Sequence, residues 1–545
     1  MNQGSPMAEA PMVMKREFTT FSALSVAFAF VSPIVAVYSV LGVGLATSGP
    51  AFIWGGLILF AGQFVVVLTL GVLASKWADS GGIYQWSRRL VGSRYGWFAS
   101  WTYIWTLLIT LPAVAYAGAV LIPPIFGLSG VDHGIVTWLA VAILAFSTLV
   151  NLAGRVFIKV LMVAVIGAEA VGSVGVAIWL LTFERHQTLE YLSPTALPDH
   201  SGVLFSAPLV MAIAFSSYFA IGFESASSIA EEVKRPKQAV PRAMVVSFFA
   251  IMSIVVFSTL AFTLAVPSED FLRNPENAAD PAVAIMAGAL PEPMFRGILA
   301  LFVIAFAASL MTIQITVSRI VWATARNGEL PFARTLTSLS GETGLPRKAV
   351  VVTALIAVLL FIPFQSDGIQ MALISFSSVG FFISFLFPIL GMAFARVRGR
   401  WSEEPGLFMG RAGRVIGWIA LVWLVFQIVN VAWPRETGGG WASDWSTIIG
   451  ALAVGVLGVV VEHWVHRRRL RAASTGQTIV IFERDESADD ETERRPELGG
   501  PGASQSASVD SRTVSDALTS SRRRAVSPSS AATSSSTATS PSRTG

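Results

Sequence analysis

Two glutamates, Glu169 in "VIGAEAVGSVG" and Glu224 in "YFAIGFESASSIAEEVKRP", stand inside long apolar runs, where a carboxylate is least expected. A charged side chain near the middle of a bilayer costs about 2.5 to 3.5 kcal/mol on insertion scales, so an acidic residue there is a functional candidate by default. Neither glutamate has a basic partner close by in sequence. Burial can hold such a group neutral, and a group that exists either charged or neutral inside a cavity is suited to carrying a proton. The plainer alternative is a neutral glutamic acid that ties helices together by hydrogen bonding.

A hydroxyl face offers a second chemistry. Ser309, Thr312 and Thr316 recur at i, i+3 and i+7, which puts them on one side of a helix. Such a lining could take a sodium ion, although hydroxyls in apolar helices more often bond a neighbour or the carbonyl one turn back. Protons are favoured over sodium as the coupling ion. The five histidines, His133, His186, His200, His463 and His466, lack metal-site spacing. No catalytic triad or carboxylate pair suggests hydrolysis, and "GVGLATSG", Gly42 to Gly49, follows no strand as a phosphate loop would. Neither an enzyme, a metal site nor a cofactor is indicated.

The elements that must position these groups are membrane helices. The 545 residues are 53% hydrophobic and 13% charged, with a mean hydropathy of +0.64, far too apolar for a water-facing globule. Twelve apolar runs approach the length that a span needs: 21–45, 51–74, 96–121, 134–152, 156–182, 205–229, 243–266, 295–325, 349–364, 370–395, 413–432 and 447–465. The first is longer than a signal-peptide core and reads as an uncleaved helix. With no cysteine, disulfides and thiol chemistry are excluded.

Lys and Arg gather in alternate loops, as in "SRRL", "VKRPKQAVPR" and "HRRRLR". By the positive-inside rule this asymmetry supports an even number of spans with both termini in the cytoplasm, and a plasma-membrane location is expected. The net charge of +4 reflects those loops, and nucleic-acid binding is not indicated. Residues 1–17 read as an N-terminal tail and 18–466 as the membrane domain. The Ser-, Thr- and Pro-rich stretch 467–545 reads as a disordered cytoplasmic tail.

Two spans carry breakers near their centres. Pro33 follows Ser32 in the first run, and Ser216, Ser217 and Gly222 interrupt the sixth. Irregular backbone at membrane depth survives only where it is buried in protein or lines a cavity. In two five-helix repeats, spans one and six would correspond, and interruption of both points to a midplane binding site. The plainer alternative is a proline kink and a close-packing glycine. Trp97, Trp101 and Trp105 repeat at i, i+4 and i+8; near a span start they read as interface anchors.

"IGFESAS" followed by "VKRPKQAVPRA", Ile221 to Ala243, resembles the sixth-span signature of the amino acid, polyamine and organocation (APC) superfamily. The likeness to bacterial arginine/agmatine antiporters is close there. "LATSGPAFIWGG", "SGGIYQWSRRLVG" and "SRIVWATARNGELP" resemble further family segments, so the likeness covers roughly 18–465. It implies an all-α membrane protein of about twelve helices with a five-plus-five inverted repeat. It also implies alternating access to a site between interrupted helices 1 and 6.

By position, the resemblance makes Ser32, Ile34, Val35, Ala36 and Val37 the first unwound segment, and Ile221, Gly222, Phe223, Glu224 and Ser225 the second. Tyr218 or Phe219 would close over substrate, Thr106 would touch it, and Glu224 matches an acidic position used in proton sensing and exchange. The chain departs from the family twice. "PIVAV", Pro33 to Val37, replaces a glycine-rich break, and Glu169 stands where several relatives carry a lysine. A carboxylate cannot substitute for a cation; Glu169 would instead carry a proton, or attract a cation or a substrate amine. Ion coupling would thus fall to Glu169, Glu224, Thr312 and Thr316.

The expected function is secondary transport of an amino acid or related amine, by proton-coupled symport or exchange. Polyamines and gamma-aminobutyrate stay open as substrates, and a non-transporting nutrient sensor is the rival class. Expected partners are the small-molecule substrate, a proton or sodium ion, and the lipid bilayer.

Overall fold

The computed structural model describes residue 16 and residues 18–474, apart from 129, 155–159, 161–163, 194–203, 275–276, 278–279, 341–343, 362–368, 402–411 and 436–440. Nearly all of the expected N-terminal tail, His200 and the Ser-rich tail from 475 onward lie outside the described residues. Among those described, every regular element is helical, and the strand-like pairing is one parallel bridge between Phe18 and Val233.

Among the described residues, eleven helices are long and apolar enough to cross a membrane: Thr20–Ser48, Phe52–Lys76, Ser93–Ile125, His133–Ala153, Ala164–Phe183, Pro208–Ser228, Pro236–Leu264, Glu292–Arg326, Leu373–Val397, Ala412–Ala432 and Ser446–Arg468. The run expected at 349–364 forms Arg347–Leu359, a helix of 13 residues. At helical rise that is about 20 Å, shorter than a full crossing. Counted as the ninth span, it leaves the order of the others as expected.

Burial sorts the spans. In the most apolar window, 72% of the first span and 78% of the third, sixth and eighth are buried, against 33% of the fourth and eleventh and 17% of the twelfth. Spans one, three, six and eight therefore form the interior. The first half of span one packs on spans seven and eight, and span three packs on spans eight and ten.

Both expected interruptions are present, with different local causes. Span one is helical over Thr20–Val31 and again over Pro33–Ser48, and Ser32 between them has φ +44°. Thr19 starts the first half by accepting a hydrogen bond from the Ser22 amide, and Ser32 caps the second in the same way through Val35. Pro33, whose missing N–H and fixed φ suit a first helical position, restarts the helix at once. The break is thus narrower than expected: Ile34, Val35, Ala36 and Val37 are helical and only Ser32 is not. In span six the helix Pro208–Ser216 tightens to a 3₁₀ turn over Ser217–Ala220 and resumes at Ser225–Ser228. Gly222 turns there at φ +87°, a conformation that costs glycine little.

The tryptophans are a second correction. Trp97 donates to the Glu329 carbonyl oxygen at 2.8 Å, Trp101 donates to that of Val454 at 2.9 Å, and their rings stack at 5.2 Å. The stripe joins span three to the end of span eight and to span twelve, because its indole N–H groups find carbonyl partners inside the bundle and not at a lipid headgroup.

At the basic end of the bundle the short helix Gly82–Leu90 is pinned to the end of span eight. Tyr84 donates to Glu329 at 2.8 Å and accepts from the Asn327 amide at 2.6 Å. Burial, then the charge of Glu329, raises the Tyr84 phenol and keeps it a donor. Nearby, Arg319 pairs with Glu232 at 3.1 Å, both fully buried, and Arg326 grips Glu231 with two nitrogens at 3.1 and 3.2 Å.

Candidate functional site

The first break is closed by a carboxylate from another span. Glu169 is 1% exposed and sits where span five passes from α-helix into a π-helical stretch, Ala170–Gly175. Its Oε1 accepts the Ser32 hydroxyl, its Oε2 accepts the Ser173 hydroxyl at 2.8 Å, and the Ile34 amide lies 3.2 Å from Oε2 and 3.4 Å from Oε1. Every one of these partners donates. Glu169 therefore caps the half-helix Pro33–Ser48, whose N-terminal end carries a partial positive charge. Span five is held close at that level: a Cβ on Gly172 would lie 2.9 Å from Ile34 Cδ1 and 2.7 Å from the Phe302 ring.

Glu224 belongs to the second break and is equally buried. Its Oε1 accepts the Tyr103 phenol from span three at 2.6 Å, while its Oε2 has no hydrogen-bond partner. The next residue, Ser225, also has a buried hydroxyl oxygen without a partner. No basic side chain pairs with Glu169 or Glu224 among the described residues; the buried Arg319 is held by Glu232. The two carboxylates differ in one respect that matters chemically. Glu169 has both oxygens engaged by donors of the chain, and Glu224 keeps one oxygen without a partner.

Aromatic rings connect the two breaks. Phe30, in the turn before Ser32, meets Phe381 of span ten edge-on at 6.1 Å, and Phe381 meets Tyr103 at 5.9 Å. Gly222 presses on the Phe30 ring so closely that a Cβ would overlap it. From span eight, Ser309 donates to the Phe30 carbonyl oxygen at 2.7 Å.

The other expected site residues have partners or packing of their own. Thr106 donates to the Thr102 carbonyl oxygen of its own helix and lies against Gly380 of span ten. Phe219 packs on Phe52 of span two, and Phe223 on Phe248 and Phe385. Tyr218 and Ile221 are buried at 5% and 3% exposure, and Ala36 and Val37 lie inside the half-helix. Thr312 donates to the Ser309 and Ala308 carbonyl oxygens, and Thr316 donates to that of Thr312. Thr316 also accepts from the Ser228 hydroxyl at 3.5 Å.

Three participants escaped the sequence reading. Ser173 stood one helical turn from Glu169, so the i, i+4 spacing could have found it. Tyr103 lay hidden between two tryptophans, and Phe30 looked like ordinary core; no local signal marked either.

The sequence model of a family described as amino acid permease matches residues 18–456. Over 448 residues the chain is 25% identical to an amino-acid permease BAT1 homolog of Oryza sativa subsp. japonica, covering 77% of this chain and 85% of that protein. It is 23% identical over 502 residues to amino-acid permease BAT1 of Arabidopsis thaliana, covering 84% and 92%. With the protein named "Probable agmatine/putrescine antiporter AguD" of Lactococcus lactis subsp. lactis it shares 24% identity over 472 residues, covering 82% and 95%.

Proposed function

Because the chain belongs to the amino acid permease family, a family of membrane transporters and not enzymes, we propose that it is a secondary active transporter. It moves an amino acid or related amine by alternating access, through proton-coupled symport or exchange, across a plasma membrane with both termini cytoplasmic. Names of relatives support either cargo, since two are amino-acid permeases and one is named for agmatine and putrescine.

The observation that carries this reading is the pair of breaks in spans one and six, each with a buried carboxylate against it. Substrate binds beside the second break, where Glu224 keeps a free oxygen. The coupling proton belongs on Glu224 as well, because that oxygen can take a proton without losing a hydrogen bond. The titratable group facing it is the Tyr103 phenol, which already donates. Protonating Glu169 would instead set a proton among three donor groups. Thr312 and Thr316 donate their hydroxyl protons to carbonyls of their own helix, so the preference for protons over sodium rests on the free oxygen of Glu224 and not on these hydroxyls.

The test is uptake into proteoliposomes, with a pH gradient, a sodium gradient and counter-substrate imposed separately across a panel of amino acids and amines. Accumulation or exchange of at least one compound is expected, driven by protons or counter-substrate. Glu224→Gln should lower transport by about tenfold or more, as loss of a general acid–base group typically does, and flatten its pH profile. Failure of every class under every gradient would remove the transporter reading, and an unchanged pH profile in Glu224→Gln would move the proton elsewhere.

A further inference from the structure

The donors at the first break can be accounted for one by one. Pro33 has no N–H. The Ile34 amide is given to Glu169, that of Val35 to the Ser32 hydroxyl at 3.3 Å, and that of Ala36 to the Ser32 carbonyl oxygen at 2.9 Å. The Ser32 hydroxyl proton goes to Glu169. The positive end of a broken membrane helix is where an anionic substrate group would ordinarily be received. Here a tethered carboxylate already fills it, wedged by the close packing of Gly172 on Ile34.

A substrate carboxylate arriving there would meet no free N–H, because the Glu169 oxygens already take the Ser32 hydroxyl and the Ile34 amide, and an acceptor that finds no donor on burial costs rather than stabilises. The second break has the opposite character. Glu224 Oε2 and Ser225 Oγ are buried acceptors with no partner, and a buried acceptor left unmet is costly until a donor arrives. A protonated amine supplies the N–H donors and, once Glu224 has released the coupling proton, the opposite charge.

On the transporter reading above, we infer that the substrate is an organic cation without a carboxylate beside its amine, as in a diamine or a decarboxylated basic amino acid. Glu169 excludes the amino acid parent and Glu224 receives the ammonium group. Glu169 is thereby a specificity-determining residue, standing in the place of the carboxylate that the substrate lacks.

Matched pairs test this with the full-length protein in proteoliposomes: agmatine against arginine, putrescine against ornithine and cadaverine against lysine, with alanine and leucine as neutral controls. Each amine should be taken up or exchanged at least about tenfold better than its parent, the scale of discrimination that an unpaired buried group supplies. Equal or reversed preference within the pairs overturns the inference. Uptake of the neutral amino acids alone overturns it while leaving the transporter reading intact; no uptake of any compound under any gradient removes both. In Glu169→Gln the preference should narrow in favour of the parent amino acids. A folded variant with an unchanged ratio overturns the role given to Glu169, and if the variant does not fold, the wild-type ratios decide.

Discussion

Gly222 is required twice over, once by its backbone at φ +87° and once by the Phe30 ring that a Cβ would overlap. Gly222→Ala should therefore destabilise the protein by about 1 to 3 kcal/mol, the usual cost of a strained backbone position. Thermal unfolding of the purified protein measures this. Adding Phe30→Leu should restore only part of the loss, because a smaller side chain relieves the overlap and leaves the backbone strain. An alanine variant as stable as wild type would mean that the break relaxes around it. At this scale the two glutamates were legible from their types and depth alone, but their partners were not. Ser32 lies 137 positions from Glu169, and Tyr103 lies 121 from Glu224.

Among the elements, the helix Pro281–Ala289 between spans seven and eight carries a pH-sensitive cap. Asp280 accepts from the Val283 amide at 3.1 Å; burial pushes its carboxyl up to about 6, with the Val283 and Ala282 amides pulling the other way. The folded state thus holds this proton more tightly than the unfolded chain, where an aspartate titrates near 4. Its contribution to stability is complete below about pH 4 and is lost as pH rises through about 6. Across that window the melting temperature of wild type should fall relative to that of Asp280→Asn, whose amide does not titrate. A constant difference between the two proteins would refute the assignment. The spans were readable because each is set by some 20 successive apolar residues. Their breaks were readable because Pro33 and Gly222 act on the backbone within a turn. How far each break extends was less so: Ser32 and Pro33 together restart the helix immediately, so Ile34 to Val37 stay wound. The tryptophan stripe was misread for a related reason, since an indole near a span end satisfies its N–H equally well at a lipid headgroup or at a carbonyl of another span.

For the whole molecule, the family match ends at 456, and the sequence from 475 onward is rich in Ser, Thr and Pro. A variant ending at residue 474 is expected to retain uptake within about twofold, as removal of a low-complexity terminus usually allows. Lost transport in a protein that still reaches the membrane would assign that stretch a function. The sequence by itself determined the class of protein, its helical spans, the two interruptions and the two carboxylates. All of these rest on composition and on backbone chemistry local to a few turns. Only the tertiary structure decided that Glu169 caps the first break while Glu224 keeps an oxygen free, that Thr106 lies against Gly380 and that Phe219 packs on Phe52. A membrane helix apolar on every side carries no stripe to show which face meets which neighbour, so rotation and depth, and the pairings that follow from them, come from packing across the bundle.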